Sequence, residues 1–457
     1  MPPCGGGVNG QHQWVGRKNA AWRISLALFL LTSLWISFRH ARWRLGLTEF
    51  PRLCYDCSGV ARRGKQYPDM SETVEIGEKA ETSVRGAQGR RAGVLPYQAM
   101  LAMIEAGQIR SDLEIPESQV QPASMDLRLG RTAYRVRGSF LPGPNSTVME
   151  KIERFRMHEI DLAGGAALEK GCVYIVPLME SLKLERGVTG IANPKSSTGR
   201  LDIFTRLITD NATEFERVRA GYEGPLYLEI SPRSFSIVVH EGSRLNQLRL
   251  RRGASAYSDA AIRRLHEEVG LIDRAPGEED VSKGLALSVD LSGEKDDGLV
   301  GWRAKHHAPL IDVEKIAFYD PLEFWDPIMV RSREGLFLNP DDFYILASKE
   351  AVKVPPDCAV EMVAYDTLVG EFRVHYAGFF DPGFGWTGNS AGNTRAVLEV
   401  RSHEVPFLLE DGQIVGRLAY DKLTEVPDKL YGAGIGSSYQ GQGLMLSKQF
   451  KLPGDSR

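Results

Sequence analysis

Cysteine is scarce in this chain: five in 457 residues, Cys4, Cys54, Cys57, Cys172 and Cys358. An odd, scattered set does not make a disulfide framework, which points to a reducing compartment, and a cytoplasmic location is expected. Charge of one sign is missing too. With 56 Lys+Arg against 59 Asp+Glu the formal net charge is -3, so the surface as a whole is not built for nucleic acid and any polyanion site must be local. No apolar run reaches the roughly 20 residues needed to span a bilayer; the best, 24–38, has 15. Its basic flank, FRHARWR, lacks a small-residue cleavage site, which argues against a removable signal peptide and leaves only a weak anchor as the membrane alternative.

What is present is ordinary globular material, 42% hydrophobic, 25% charged and 9% aromatic, enough for about three domains or for two with extensions. Globular patterning begins near Val94. Residues 1–93 are therefore read as an atypical N-terminal extension, disordered or dispensable, with Met70 as the working start. Cys54 and Cys57 form one CxxC, and a zinc site needs a second pair that never comes.

Shifted by 170 residues, the chain matches itself. VYIVPLMESLKL (173–184) lines up with FYILASKEAVKV (343–354), Leu228-Glu229-Ile230 with Leu398-Glu399-Val400, and 242–248 with 412–418, all in one register. A period this long is a duplicated domain rather than a solenoid. The repeats run over 94–252 and 285–457. Between them, 253–284 reads as a helical linker, with Ala261, Leu265, Val269 and Ile272 at helical spacing after a Ser258 cap. Inside each repeat the segments are short and β-rich, separated by Gly, Pro, Asn and Asp, so the fold class is all-β: two tandem jelly rolls or β-barrels.

Chemistry concentrates at Asn193-Pro194-Lys195-Ser196-Ser197-Thr198-Gly199-Arg200. Two cations, three hydroxyls and a glycine within six residues suit an oligophosphate, although a solvated turn would carry similar residues. Glu229 stands in the apolar strand LYLEI. If its face points inward the carboxylate is desolvated, its pKa rises, and it becomes a general base near neutrality; an outward-facing Glu is the commoner case. At the 170 offset Lys195, Ser196, Ser197 and Arg200 become Tyr365, Asp366, Thr367 and Gly370, whereas Glu229 stays glutamate as Glu399. The phosphate signature is thus confined to repeat 1.

Four motifs in order resemble the dCTP deaminase and dUTP diphosphatase superfamily: PASMDLRLG (122–130), Lys195-Ser196-Ser197-x-x-Arg200, Gly221-Tyr222-Glu223-Gly224 leading to Leu228-Glu229, and Tyr439-Gln440-Gly441-Gln442 before Ser447-Lys448. The resemblance covers about 94–450 and looks closest to the long, duplicated bacterial dCTP deaminases. It implies a dUTPase-like distorted jelly roll in each repeat, a nucleotide-closing C-terminal tail, sites between neighbouring subunits, and a homo-oligomer, a trimer or a dimer. It implies zinc-free deamination of dCTP to dUTP and ammonia, supplying dUTP for thymidylate synthesis, with Glu229 as general acid/base and Ser196 ordering the water or phosphate. Lys195, Ser196, Ser197 and Arg200 would hold the triphosphate, and Mg²⁺ would arrive on substrate phosphates. The zinc-deaminase signature, H-x-E paired with P-C-x-x-C, has no complete copy, because the lone CxxC follows Leu53 in the extension.

The family's Asp-Pro-Gly before the aromatic turn is Arg219-Ala220-Gly221 in repeat 1, while repeat 2 keeps Asp381-Pro382-Gly383-Phe384-Gly385. Asp210 or a borrowed Asp381 would then contact the sugar; Tyr222, Tyr439 and Gln442 are further base or lid candidates, and Glu399 is a candidate for a second site. Two other functions stay open, a dUTP diphosphatase or bifunctional enzyme using Asp381, and a nucleotide sensor without turnover. His306-His307 has no ligand-spaced carboxylate and reads as a solvated loop. Trp302, Trp325 and Trp386 read as core or interface, and His375 as structural or pocket-lining.

Overall fold

The protein is represented by a computed structural model that describes residues 91–452 apart from 331–334, 365–371, 375–377, 388–392, 403–404 and 433–438. The expectations for residues 1–90 of the extension, for Met70, Cys4, Cys54 and Cys57, and for Tyr365, Asp366, Thr367, Gly370 and His375 lie outside these residues, whereas Gly93, read as the end of the extension, is buried and pairs with Arg252 in the repeat 1 sheet.

In repeat 1 the strands that matter are β1 (Met125–Arg128), β2 (Val173–Lys183), β3 (Val188–Pro194), β4 (Ile203–Thr209), β5 (Glu223–Pro232) and β6 (Arg244–Arg252). In repeat 2 they are β7 (Leu285–Ser288), β8 (Phe343–Ala351), β9 (Cys358–Ala364), β10 (Arg395–Ser402) and β11 (Ile414–Lys422). One sheet of repeat 1 holds β1 and β3 on either side of β6; the other runs β2, β5, β4. Repeat 2 reproduces them as β7, β11, β9 and as β8, β10. Even the register recurs: Leu248 faces Ala192 as Leu418 faces Met362, and Glu229 faces Ile175 as Glu399 faces Ile345. The all-β class read from the sequence is the observed one.

Alternation along β5 explains how it sits. Leu226, Leu228 and Ile230 enter the main core of repeat 1, while Tyr227 points the other way with Ile175 and Ile208. That second face is covered by helix α1 (Val148–Phe155), which starts in a capping box between Thr147 and Glu150. In repeat 2 the equivalent face, with Ile345 and Val397, is buried in the repeat 1 core instead, where Trp325 packs edge-on to Phe235 at 5.3 Å. One hydrophobic cluster therefore spans both repeats, while repeat 2 keeps a second core of its own around Leu346, Val360, Leu398 and Leu418.

The glutamates that coincide at 180 and 350 are structural. Glu180 accepts from the Arg128 backbone N at 2.9 Å and from Arg128 Nε at 2.7 Å; Glu350 accepts from Ser288 N at 2.8 Å and pairs with Arg274.

The single turn α2 (Ser196–Gly199) and the linker helix α3 (Asp259–Val269) complete the elements used below. Ser258 Oγ caps α3 by accepting from Ala261 N, and Gly270 closes it at φ +63°. Of the row expected from spacing, Leu265 and Val269 pack half-buried on the repeat 2 core and Ile272 is buried in it, while the fully buried side chains of α3 are their neighbours Ile262 and His266.

Candidate active site between the repeats

Strand β3 ends at Pro194, which has no N–H to extend the ladder, and the chain turns at once. Lys195 N donates to Leu245 O at 3.0 Å, pinning the turn to β6, and Thr198 N and Gly199 N both donate to Lys195 O. The turn α2 follows and sets Ser196, Ser197 and Arg200 beside one another. Lys195 Nζ donates to the buried Asp126 on β1, and Arg244 Nη1 lies 3.9 Å from the same carboxylate.

Arg200 is 3% exposed and held by the C-terminal segment. Its Nη1 donates to Met445 O at 3.1 Å, its Nη2 to Gln442 Oε1 at 2.8 Å, and its guanidinium stacks on Tyr439, 3.9 Å from the ring centroid. Ser447 Oγ donates to Ser197 O at 2.8 Å. The tail thus folds onto the 195–200 turn of its own chain.

Facing this group across a cavity of about 280 Å³ is Glu399 of β10, with Asp381, Phe384 and Met362 from the same repeat. Arg200 Nε, buried and without a hydrogen-bond partner, is 4.0 Å from Glu399 Oε1. Burial pushes the Glu399 carboxyl up to about 8, with Arg200 only partly opposing the rise. Asp381 is also raised by burial, against the pull of Arg249, whose Nη2 donates to it at 2.9 Å; Ser124 Oγ donates at 3.2 Å. Lys448 is lowered by burial and by the neighbouring Lys195 charge. The turn after Asp381 needs its glycines: Gly385 sits at φ +62°, and a Cβ there would lie 2.0 Å from the Val352 carbonyl oxygen.

Lys195, Ser196, Ser197, Arg200, Asp381, Glu399, Tyr439 and Gln442 all line this one cavity. Three expected residues do not. Glu229 lies on β5 in the interior of repeat 1, where Arg206 Nε donates to its Oε1 at 2.9 Å. Of the two faces that its alternation left open, Glu229 takes the buried one, shared with Tyr227, and it does not line the cavity beside the 195–200 turn. Asp210 accepts from Val148 N at 2.7 Å, at the start of α1, and does not line the cavity. Tyr222 is 1% exposed, its OH donating to Pro225 O at 2.6 Å, and its pKa is raised to about 12 by burial; it fastens a turn.

Further polar groups belong to the pocket that were not among the expected site residues, including Asp126, Arg244, Gln247 and, through Asp381, Arg249. The available signal was a charge inside an apolar strand, since Arg249 is fully buried in RLNQLRL and Asp126 sits in MDLRLG. His306 gains a partner that spacing could not reveal, Asp342 at 2.8 Å, while Trp325 is core. His266-Glu267-Glu268 does have H-x-E spacing, but it lies on α3 with His266 Nδ1 accepting from Leu271 N. Among the described residues no three His, Cys, Asp or Glu side chains converge as a metal site, and no helix is long and apolar enough to cross a membrane.

Comparison with known proteins agrees with this architecture. Residues 91–254 match the description "2'-deoxycytidine 5'-triphosphate deaminase (DCD) N-terminal domain", and 258–450 match its C-terminal domain. A crystal structure of 2'-deoxycytidine 5'-triphosphate deaminase from Agrobacterium tumefaciens is 56% identical, with a TM-score of 0.69, over 74% of this chain and 99% of that one. A "dCTP deaminase, dUMP-forming" of Beutenbergia cavernae is 30% identical over 148 residues, 31% of this chain and 73% of that protein. A "dCTP deaminase" of Natronomonas pharaonis is 32% identical over 26% of this chain and 59% of its own. A duplicated β fold whose halves match the two domains in order, with 99% of a solved deaminase covered, places this chain in the dCTP deaminase family.

Proposed function

We propose that the chain deaminates dCTP in the pocket between its repeats, with Glu399, not Glu229, as the general acid/base. The observation that carries this is Glu399 itself: a desolvated carboxyl raised to about 8, facing the cavity that also holds Lys195, Ser196 and Arg200. Hydrolysis at C4 needs a base to take a proton from water and an acid to give one to departing ammonia, and a single carboxyl titrating near neutrality serves both in turn. Ser196 orders the water or a phosphate oxygen. Lys195, Arg200, Arg244 and Lys448 supply cations for the triphosphate, and Asp381, oriented by Arg249 and Ser124, meets the deoxyribose. The nucleotide comes under the Tyr439–Gln442 segment.

Mg²⁺ fits as a passenger on the phosphate oxygens, because the nearest carboxylates are already engaged, Asp126 by Lys195 and Asp381 by Arg249. It would neutralise phosphate charge there. The C4 chemistry is proposed to be zinc-independent, resting on the carboxyl.

The product is dUTP in this reading, since Asp381 is tied by two donors and is poorly placed to activate a second water. The second reading, dUMP with pyrophosphate, draws support from the relative named as dUMP-forming. Purified protein incubated with dCTP and Mg²⁺ decides both points. Ammonia with dUTP accumulating is the expected result, unchanged by a zinc chelator; ammonia with dUMP selects the second reading. No ammonia from a folded sample that binds dCTP would overturn the assignment.

A further inference from the structure

Glu229 and Glu399 hold one position in two copies of the same sheet, opposite Ile175 and Ile345. What stands before each carboxylate differs. Glu399 looks into an open cavity, with its nearest cation 4.0 Å away. Glu229, 1% exposed, meets the guanidinium of its cross-strand neighbour Arg206, which gives both Nε and Nη2 to Oε1 and leaves Oε2 buried without a hydrogen-bond partner. Arg206 also lies against the rings of Phe215 and Phe204, 3.7 and 4.8 Å from their centroids, and reaches Ser139 at 2.5 Å. A flat, delocalised cation between a carboxylate and aromatic faces has the shape and charge of the N3–C4–NH₂ amidine edge of a protonated aminopyrimidine.

We infer that Glu229 marks a second, repeat 1 copy of the base-binding site that Arg206 keeps permanently filled with its own guanidinium, so that each chain takes up one nucleotide and not two. The inference rests on the reading of Glu399 as the working carboxyl. Two further features agree. Repeat 2 has lost the Ser-Ser-x-x-Arg segment that a Glu229 site would require from a neighbouring copy, and helix α1 with Phe140 covers the face on which such a neighbour would pack. The site thus has a fixed internal occupant, and its ligand class is a planar amidinium or guanidinium cation.

The test removes the occupant. In the full chain, Arg206→Ala should leave a cavity that methylguanidinium at millimolar concentration fills, seen as a rise in thermal midpoint absent from the wild type. Adding Glu229→Gln should weaken that response on the order of tenfold or more, as expected when a charged acceptor becomes a neutral amide. No response in folded Arg206→Ala, or an equal one in the double variant, overturns the inference. Should Arg206→Ala fail to fold, calorimetric titration of Glu399→Gln with dCTP decides: one nucleotide per chain supports the plug, two refute it. Normal turnover by Glu399→Gln would sink the catalytic reading alone, since the methylguanidinium experiment does not involve that residue.

Discussion

Repeat 1 and repeat 2 carry the same glutamate in the same register and surround it with opposite electrostatics. Glu229 is buried and has a close cation; Glu399 is buried and has only a distant one. Burying a carboxyl is costly unless it is paired or neutral, and the two copies differ in how closely a cation approaches, which is the ground for proposing Glu399 and not Glu229 as the general acid/base. The pair teaches that identity between repeats locates a carboxylate without assigning its task. Glu180 and Glu350 make the same point from the other side, since both copies are satisfied by backbone N–H and arginine and neither faces the pocket.

The sharpest way to break the comparison is to neutralise each glutamate in turn. Glu399→Gln should lower the rate of ammonia release by about 10²–10⁴-fold, the usual worth of a general acid/base, with dCTP binding retained. Glu229→Gln should stay within about twofold of wild type in the same assay. A large loss from Glu229→Gln with little from Glu399→Gln would reverse the assignment.

Arg200 comes next, being the cation that repeat 1 contributes beside Glu399. Arg200→Ala should raise the KM for dCTP by about 10–100-fold, the worth of charge-assisted hydrogen bonds, while its effect on folding stays small enough for binding to be titrated.

Stability should separate the two glutamates in opposite senses. Glu229→Gln removes the charged partner of Arg206 and should destabilise the fold by about 1–3 kcal/mol in urea unfolding. Glu399 behaves differently. Its folded pKa, about 8, lies above the ordinary carboxyl value, so the native state holds a proton that the unfolded chain has released. Native stability therefore falls as pH rises from about 4.5 to about 8, and Glu399→Gln should remove that slope. The variant should match wild type near pH 5 and exceed it by a few kcal/mol at most at pH 8.5. A parallel pair of stability–pH curves would show that Glu399 is not raised.

The smallest effect concerns the tail. Tyr439 OH accepts from Lys448 N at 3.2 Å while its ring stacks on Arg200. Tyr439→Phe keeps the stacking and loses one hydrogen bond, so KM should rise only about two- to tenfold with kcat unchanged.

Much of this molecule was legible in its sequence. The 170-residue offset, the β-rich segments and the four ordered motifs led to a duplicated all-β chain of this family, because periodicity, turn residues and local motif spacing are properties of neighbouring positions. Lys195-Ser196-Ser197-x-x-Arg200 was readable for the same reason: its chemistry lies within one turn. What the sequence left open was which carboxylate that turn faces. Glu229 is 29 positions after Arg200 and Glu399 is 199 positions after it, yet Glu399 lines the shared cavity, because repeat 2 turns the Glu399 face of its sheet into the core of repeat 1. Strand alternation fixes the face of a sheet on which a side chain stands. Only the packing of one repeat on the other decides what that face meets, and with it whether a buried carboxyl gains an arginine or keeps its proton.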